Sequence, residues 1–343
     1  MHKISYNFIL FKEKMKKILI TGGAGFVGRR FVKHFLDQKH KVIVVDNLAK
    51  LTGGLHPKKW TLFNPFDYKN FYFYKADCRY WFKNNNQSDF DYVLHLAAMV
   101  GGREVIENNP LAVADDLSID SHYWQWAQRN KPKKTLCFSS SACYPINLQK
   151  KNNYRLLKEN DIDLTKNISM PDLTYGWAKL TCEYLAKIAY EKHGLKSVCY
   201  RPFSGYGEDQ DLNYPFTSIC LRILKNYKKK RIQVWGTGNQ MRDFIHIDDC
   251  VNAVIKTMDK IENGDALNLS NGKFVSFKAF ARKTSLILGF SPKIIGTSNK
   301  PEGVFARGGD TLKQRRFGIK NKILLSQGIE KTLKYLNKIY KIL

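Results

Sequence analysis

The segment KKILITGGAGFVGRRFVKHFL, residues 16–36, constrains this chain more than any other stretch. A short Ile/Leu run passes through Gly22, Gly25 and Gly28 into residues with apolar positions at helical spacing. Glycine permits a tight turn and a close approach of another group to the backbone. The first turn of the following helix offers N–H groups without intrahelical acceptors at the positive end of its dipole. Strand, glycine turn and helix N-terminus together make a cradle for a pyrophosphate, with Phe26 and Val27 completing the turn. About 20 residues on, the apolar run VIVVD ends in Asp46, followed by Asn47. A carboxylate there accepts from both hydroxyls of a ribose and repels a 2′-phosphate, which favours NAD over NADP.

Short Val/Ile/Leu-rich runs alternate along the chain with segments of helical length, the pattern of a parallel sheet wrapped by helices on both faces. Strands are expected near 16–21, 41–46, 71–76, 91–97, 133–139 and 195–201, and helices at 25–38, 110–130 and 173–193. Beyond residue 203 the pattern is less regular: a helix at 214–228, a strand in RIQVWG, then helices near 247–259, 276–288 and 325–340. The expected fold class is therefore α/β, a Rossmann-type doubly wound parallel sheet with a smaller C-terminal substrate-binding lobe. Residues 1–14 read as an N-terminal extension ahead of Met15, 15–203 as the dinucleotide-binding domain, and 204–343 mainly as the second lobe, from which the chain can cross back.

Composition narrows the function. The longest apolar runs fall well short of the roughly 20 residues of a membrane span, and the N-terminus lacks a secretory pattern. Seven scattered cysteines, with no CxxC pair and no histidine at metal-ligand spacing, fit reduced thiols in a cytoplasm and no metal site. The net charge of +27 could attract polyanions, but the lysines are spread over the whole chain, which speaks against a nucleic-acid-binding face.

The segment TYGWAKLTCEYLAKIAY places Tyr175 and Lys179 four residues apart, on one face of a helix. An ammonium and the positive nicotinamide of a bound NAD beside a phenol both favour phenolate and lower its pKa from about 10 toward working pH, so Tyr175 can take the proton of a substrate hydroxyl while the carbon below passes hydride to NAD.

Through TGGAGFVG, ADC, LHLAA, SSSACYP, YGWAK, YRPFSGYG and RDFIHIDD, from about Met15 nearly to the C-terminus, the chain resembles the extended short-chain dehydrogenase/reductases of the nucleotide-sugar epimerase and dehydratase group. The resemblance implies that Asp77 and Cys78 flank the adenine and that Leu96, Ala97 and Ala98 line the cofactor. It also implies that Lys179 holds the nicotinamide ribose and that Ser140, four before Tyr144, hydrogen-bonds the reacting hydroxyl beside Tyr175. Ser141 and Ser204 fall on the substrate side, Ser204 standing where the family's usual pattern has asparagine. Arg242 and Arg307 match positions that grip the nucleotide-sugar phosphates, Trp235 lies in a segment that can line the base pocket or join the core, and Glu104 is a further sugar contact.

The chain is also similar to UDP-glucose 4-epimerases, and in AAMVGG and VWGTGNQMRDF to GDP-fucose synthases and GDP-mannose 3,5-epimerases. The latter two use a cysteine base two residues before the loop tyrosine; here Ala142 stands there, with Cys143 displaced by one, and their acid position counts to Asn213. The acidic pair of a 4,6-dehydratase is replaced by Ser141 and Ala142. The resemblance thus implies a cytoplasmic NAD-dependent nucleotide-sugar epimerase working by transient oxidation at C4, in surface polysaccharide precursor synthesis. A GDP-mannose 3,5-epimerase or another 4-keto sugar enzyme, whether dehydrogenase, reductase or dehydratase, is the alternative. From a different class, a non-catalytic nucleotide- or RNA-binding protein would suit the charge but leaves the Ser-Tyr-Lys set unexplained. In relatives, the helix at 110–130 joins the one bearing Tyr175 in a homodimer contact, and its aromatics Tyr123, Trp124 and Trp126 read either as that contact or as core.

Overall fold

The computed structural model describes residues 14–101, 103–297 and 303–343. Seven strands form one sheet: β1 (Lys17–Thr21), β2 (Lys41–Asp46), β3 (Phe71–Lys75), β4 (Tyr92–His95), β5 (Thr135–Phe138), β6 (Ser197–Pro202) and β7 (Asn263–Leu269). Their order is β7-β6-β5-β4-β1-β2-β3, and every pairing is parallel. The order reverses at β1, which opens a crevice beyond the carboxyl ends of β1 and β4.

Parallel strands need helical crossovers, and here helices cover both faces, so each strand is apolar on both sides. The two-residue period sorts the side chains. Ile18, Ile20, Val42, Val44, Leu94 and Leu136 pack with helices α1 (Phe26–Asp37) and α6 (Ile247–Thr257). Leu19, Ile43, Val45, Val93 and Cys137 face the other way, toward α2 (Cys78–Asn84), α3 (Asp115–Asn130) and α4 (Leu173–His193). On that face Trp126 is fully buried, with ring centroids 5.3 Å from Phe82 and 5.7 Å from Trp81. Tyr123 and Trp124 are buried in the same cluster, so the aromatic stripe is core.

A third core joins α5 (Pro215–Lys225), α7 (Phe277–Ile287) and α8 (Leu325–Tyr340), with Phe216, Phe280 and Ile329 inside it. Strand Arg231–Trp235 pairs with Lys293–Thr297 beside it.

Three expectations are corrected. The last sheet strand, β7, was not foreseen: its sequence NGDALNL has Gly264 at φ +80° and a bulge between Asn263 and Ala266, so its apolar residues are confined to one end. The short helix α2, capped by Asp77, was likewise missed. The helix expected over 110–130 is interrupted at Ala114, between Pro110–Val113 and α3. Among the described residues, no helix is long and apolar enough to cross a membrane. The proposed extension at 1–14 lies, save Lys14, outside the described residues.

Candidate active site

A cleft of about 1020 Å³ runs from the end of β1 to the C-terminal lobe. At one end the turn after β1 is set by Gly22, at φ +69°, whose N–H donates to Val45 at 2.9 Å. The three glycines serve different ends. A Cβ on Gly22 would lie 2.6 Å from the Ala97 nitrogen, and one on Gly28 would lie 2.5 Å from the Gly22 oxygen, so these two permit close packing of the turn. A Cβ on Gly25 would meet only the Gly22 oxygen, at 3.3 Å, and otherwise open space. Gly25 is also the N-cap of α1 and brings no side chain to its first turn, so N–H groups lacking intrahelical acceptors face the cleft beside Phe26 and Val27. That arrangement fits a dinucleotide pyrophosphate.

Asp46 ends β2 in the wall of this cleft, where its two oxygens accept from the N–H groups of Ala24 (3.0 Å) and Leu48 (2.8 Å). Burial pushes its carboxyl up, against those two donors and Arg29. The expectation of an acid free to serve a ribose is thus amended: the remaining acceptor sites of the carboxylate are what it can offer. Asn47, exposed beside it, accepts from Ala49 at 3.0 Å. Asp77 caps α2 through the Arg79 N–H (2.8 Å) and pairs with the Arg79 guanidinium at 2.7 Å, which holds its carboxyl below the usual range. Cys78 is buried next to it, its thiol pushed up to about 12 by burial. Leu96, Ala97 and Ala98 follow β4 along the floor.

The catalytic candidates come together on one wall. Helix α4 carries Tyr175 and Lys179, with Lys179 Nζ 5.6 Å from the centre of the Tyr175 ring. Ser140, in the loop after β5, lines the same cleft as Tyr175 and its hydroxyl pulls the phenol pKa down, while its Oγ accepts from Ala142 N–H at 3.1 Å. Ser141 lies next to it, mostly buried and lining the cleft.

Opposing influences act on the Tyr175 phenol. Burial raises the Tyr175 phenol above its ordinary pKa; the Lys179 ammonium and the Ser140 hydroxyl pull it down, but Asp116 opposes them. Although burial by itself would lower Lys179, Asp116, Tyr175 and Asp120 hold its ammonium above the ordinary value. Asp116 Oδ2 lies 3.5 Å from Lys179 Nζ.

Cys143 turns away from the cleft. It is fully buried, its Sγ 2.7 Å from the Ser140 carbonyl oxygen and 3.6 Å from Glu183 Oε1. Burial, then the Glu183 carboxylate, push the thiol far up, so no thiolate forms at neutral pH. Glu183 itself holds Arg201 in a buried fork at 2.6 and 2.8 Å, and accepts from Ser139.

On the substrate side, Ser204 and Asn213 line the cleft. Strand pairing puts Arg242 and Arg307 in register on neighbouring strands. Arg242 bonds the carbonyls of Met241 (2.8 Å) and Val304 (3.1 Å), while Arg307 donates to Gln149 at 2.8 Å and Asp172 at 2.6 Å. Trp235 is half exposed in the cleft wall with the Arg222 guanidinium 5.6 Å above its ring, so it is not core. The side chain of Glu104 lies outside the described residues. Among the described residues no His, Cys, Asp and Glu group could hold a metal ion.

Sequence reasoning missed Asp116, Glu183 and Asp172. Glu183 had a signal, since it stands four residues after Lys179 on the same helical face. Asp116 had only the look of an acid in a helix first turn, which normally serves the dipole.

Comparison with known proteins shows the family and the fold. The sequence model of the NAD-dependent epimerase/dehydratase family matches residues 18–270. An uncharacterised protein of Methanocaldococcus jannaschii is 26% identical over 331 residues, covering 93% of this chain and 95% of its own. GDP-L-fucose synthase 1 of Arabidopsis thaliana is 24% identical over 332 residues, covering 93% of each. The crystal structure of a UDP-glucose 4-epimerase with UDP-glucose, from Thermotoga maritima, superposes with a TM-score of 0.78 at 23% identity, covering 94% of this chain and 99% of that one.

Proposed function

The chain belongs to the NAD-dependent epimerase/dehydratase family, and from that premise we propose that it is a nucleotide-sugar epimerase acting by transient oxidation at sugar C4. The observation that carries this reading is that Ser140, Tyr175 and Lys179 line the same cleft as the glycine turn and Asp46, with Lys179 Nζ 5.6 Å from the Tyr175 ring. NAD, when bound, supplies the acceptor and donor of the C4 hydride. Gly25 and the first turn of α1 would hold its pyrophosphate, Asp46 its ribose, Asp77 and Cys78 its adenine.

Tyr175 takes the proton of the C4 hydroxyl, Ser140 holds that hydroxyl by a hydrogen bond, and Lys179 stabilises the phenolate by charge. Arg242 and Arg307 face the diphosphate of the substrate. Inversion requires the keto sugar to present its other face before reduction, within the cleft that also holds the dinucleotide site. With Cys143 buried and Asn213 at the acid position, the cysteine base and its acid partner expected of a 3,5-epimerase are both missing from the cleft lining.

The reading extends to its setting. The chain works in the cytoplasm, its seven unpaired cysteines all buried, and supplies precursors of surface polysaccharide. Two copies pair through α3 and α4, whose outer faces leave Leu117, Trp177 and Tyr184 at 41, 41 and 48% exposure. A Trp177→Glu/Tyr184→Glu variant would then sediment as a monomer, and an unchanged sedimentation coefficient would refute the pairing.

The function is tested by incubating the purified protein and NAD with a panel of nucleotide sugars in deuterium oxide. C4-epimerised product without solvent label and without net NADH is expected, and Tyr175→Phe lowers its rate by about 10²–10⁴-fold. Accumulating NADH would make the enzyme a dehydrogenase, and deuterium at C3 or C5 a 3,5-epimerase; either refutes the reading.

A further inference from the structure

The reaction as derived assigns no task to Asp116, yet its placement is demanding. It lies in the first turn of α3 with a side chain 1% exposed. One oxygen accepts the Met99 N–H; the other, Oδ2, has no hydrogen bond and lies 3.5 Å from Lys179 Nζ. One turn further along α3, the equally buried Asp120 engages His95 at 3.1 Å, whose other ring nitrogen meets Thr21 Oγ1 at 2.8 Å. Asp120 also leaves its Oδ2 without a hydrogen bond and acts on Lys179 from further away, while Asp116 is the carboxylate within ion-pair distance of the lysine.

We propose that Asp116 is a positioning residue for the active site: its carboxylate anchors the Lys179 ammonium and, by offsetting that charge, sets the pH at which Tyr175 takes up its proton or gives it away. The proposal rests on Tyr175 being the base. A neutral amide at this position could still accept from Met99 but would leave the full ammonium field on the phenol. With the carboxylate, part of that field is spent on Asp116 and Tyr175 stays protonated to higher pH. The direction agrees with the opposing influences of Lys179 and Asp116 on the phenol. The other titratable groups facing this pair are Asp120 from α3, Cys182 from α4, Cys143 from the loop after β5, and Tyr214 from the turn before α5.

The test is an ultraviolet titration of the phenolate in protein without nucleotide sugar, with Tyr175→Phe subtracted in each background to isolate this tyrosine. Asp116→Asn should move the Tyr175 transition to lower pH, and Asp116→Glu should hold it near the wild-type position. In turnover, the acidic limb of the pH–kcat profile should follow the same shift. An Asp116→Asn transition that stays in place or rises would overturn the proposal. Should Asp116→Asn fail to fold, Asp116→Glu decides alone: a transition displaced despite the retained charge would equally overturn it. The titration needs no catalysis, so it separates the two readings: a protein with no epimerase activity can still show the shift, and an active epimerase can fail to show it.

Discussion

Arg307 donates to the Asp172 carboxylate at 2.6 Å, tying the C-terminal lobe to the N-cap residue of the helix that carries Tyr175. The same guanidinium reaches Gln149 at 2.8 Å, so its planar fork is already oriented when it faces the cleft. Removing it withdraws a charged donor from a carboxylate that is mostly buried. Arg307→Leu should therefore lose about 2–3 kcal/mol of stability in chemical denaturation, and a double variant with Asp172→Asn should recover part of the loss. In kinetics, Arg307→Leu should raise KM for the nucleotide sugar. A KM equal to that of the wild type would remove Arg307 from the substrate site.

The glycine turn separates folding from binding. Gly25→Ala brings its methyl group 3.3 Å from the Gly22 oxygen, a tight contact, on a backbone that alanine adopts readily, at φ −74°. It should cost no more than about 1 kcal/mol of stability while weakening NAD by at least about tenfold, roughly 1.4 kcal/mol. Gly22→Ala, at φ +69° and against the Ala97 nitrogen, should cost about 2–4 kcal/mol of stability instead. Calorimetric titration with NAD beside thermal unfolding checks both, and tight NAD binding by Gly25→Ala would contradict the cradle.

Cys143 belongs to the loop that carries Ser140, but its buried thiol packs on Glu183 and does not line the cleft. Cys143→Ala should cost about 1–2 kcal/mol of stability from lost packing. Its kcat should stay within about threefold of wild type, far short of the 10²–10⁴-fold loss that removing an acid-base group brings. A loss of that larger size would return the thiol to the reaction.

His246 gives the fold a pH dependence of known sign. Its ring is buried, and Nδ1 caps α6 by accepting from the Asp248 N–H at 3.2 Å. Burial lowers its pKa below the ordinary 6.5, against the pull of Asp248 and Glu208. The unfolded chain therefore protonates first as pH falls, and stability present above 6.5 is lost between that value and the folded pKa. The slope cannot exceed about 1.4 kcal/mol per pH unit from this residue. His246→Asn, which can still cap, should unfold with a shallower acid dependence in denaturant melts between neutral pH and pH 5. Parallel pH profiles for the two proteins would exclude the effect.

Much of this molecule follows from local pattern. Strands β1 to β6 announce themselves as apolar runs because both faces of a parallel sheet are covered. The glycine turn and Asp46 are legible because pyrophosphate binding needs a particular backbone, and Tyr175 with Lys179 because four residues make one helical turn. The seventh strand escaped because Gly264 and a bulge break its apolar run, and its place beside β6 depends on a crossover through the second lobe.

Charge balance was beyond sequence for the same reason. Tyr175 and Lys179 alone point to an acidic phenol, but burial and the carboxylate of Asp116, 63 positions from Lys179 and on another helix, push the other way. Likewise nothing in the string SSSACYP tells that Ser140 turns to the cleft while Cys143 packs on Glu183. Residue types and spacings determine which groups are available at the site; which of them meet, and in what dielectric, is decided only when α3, α4 and the loop after β5 pack together, since Coulomb energy depends on distance in space and on burial.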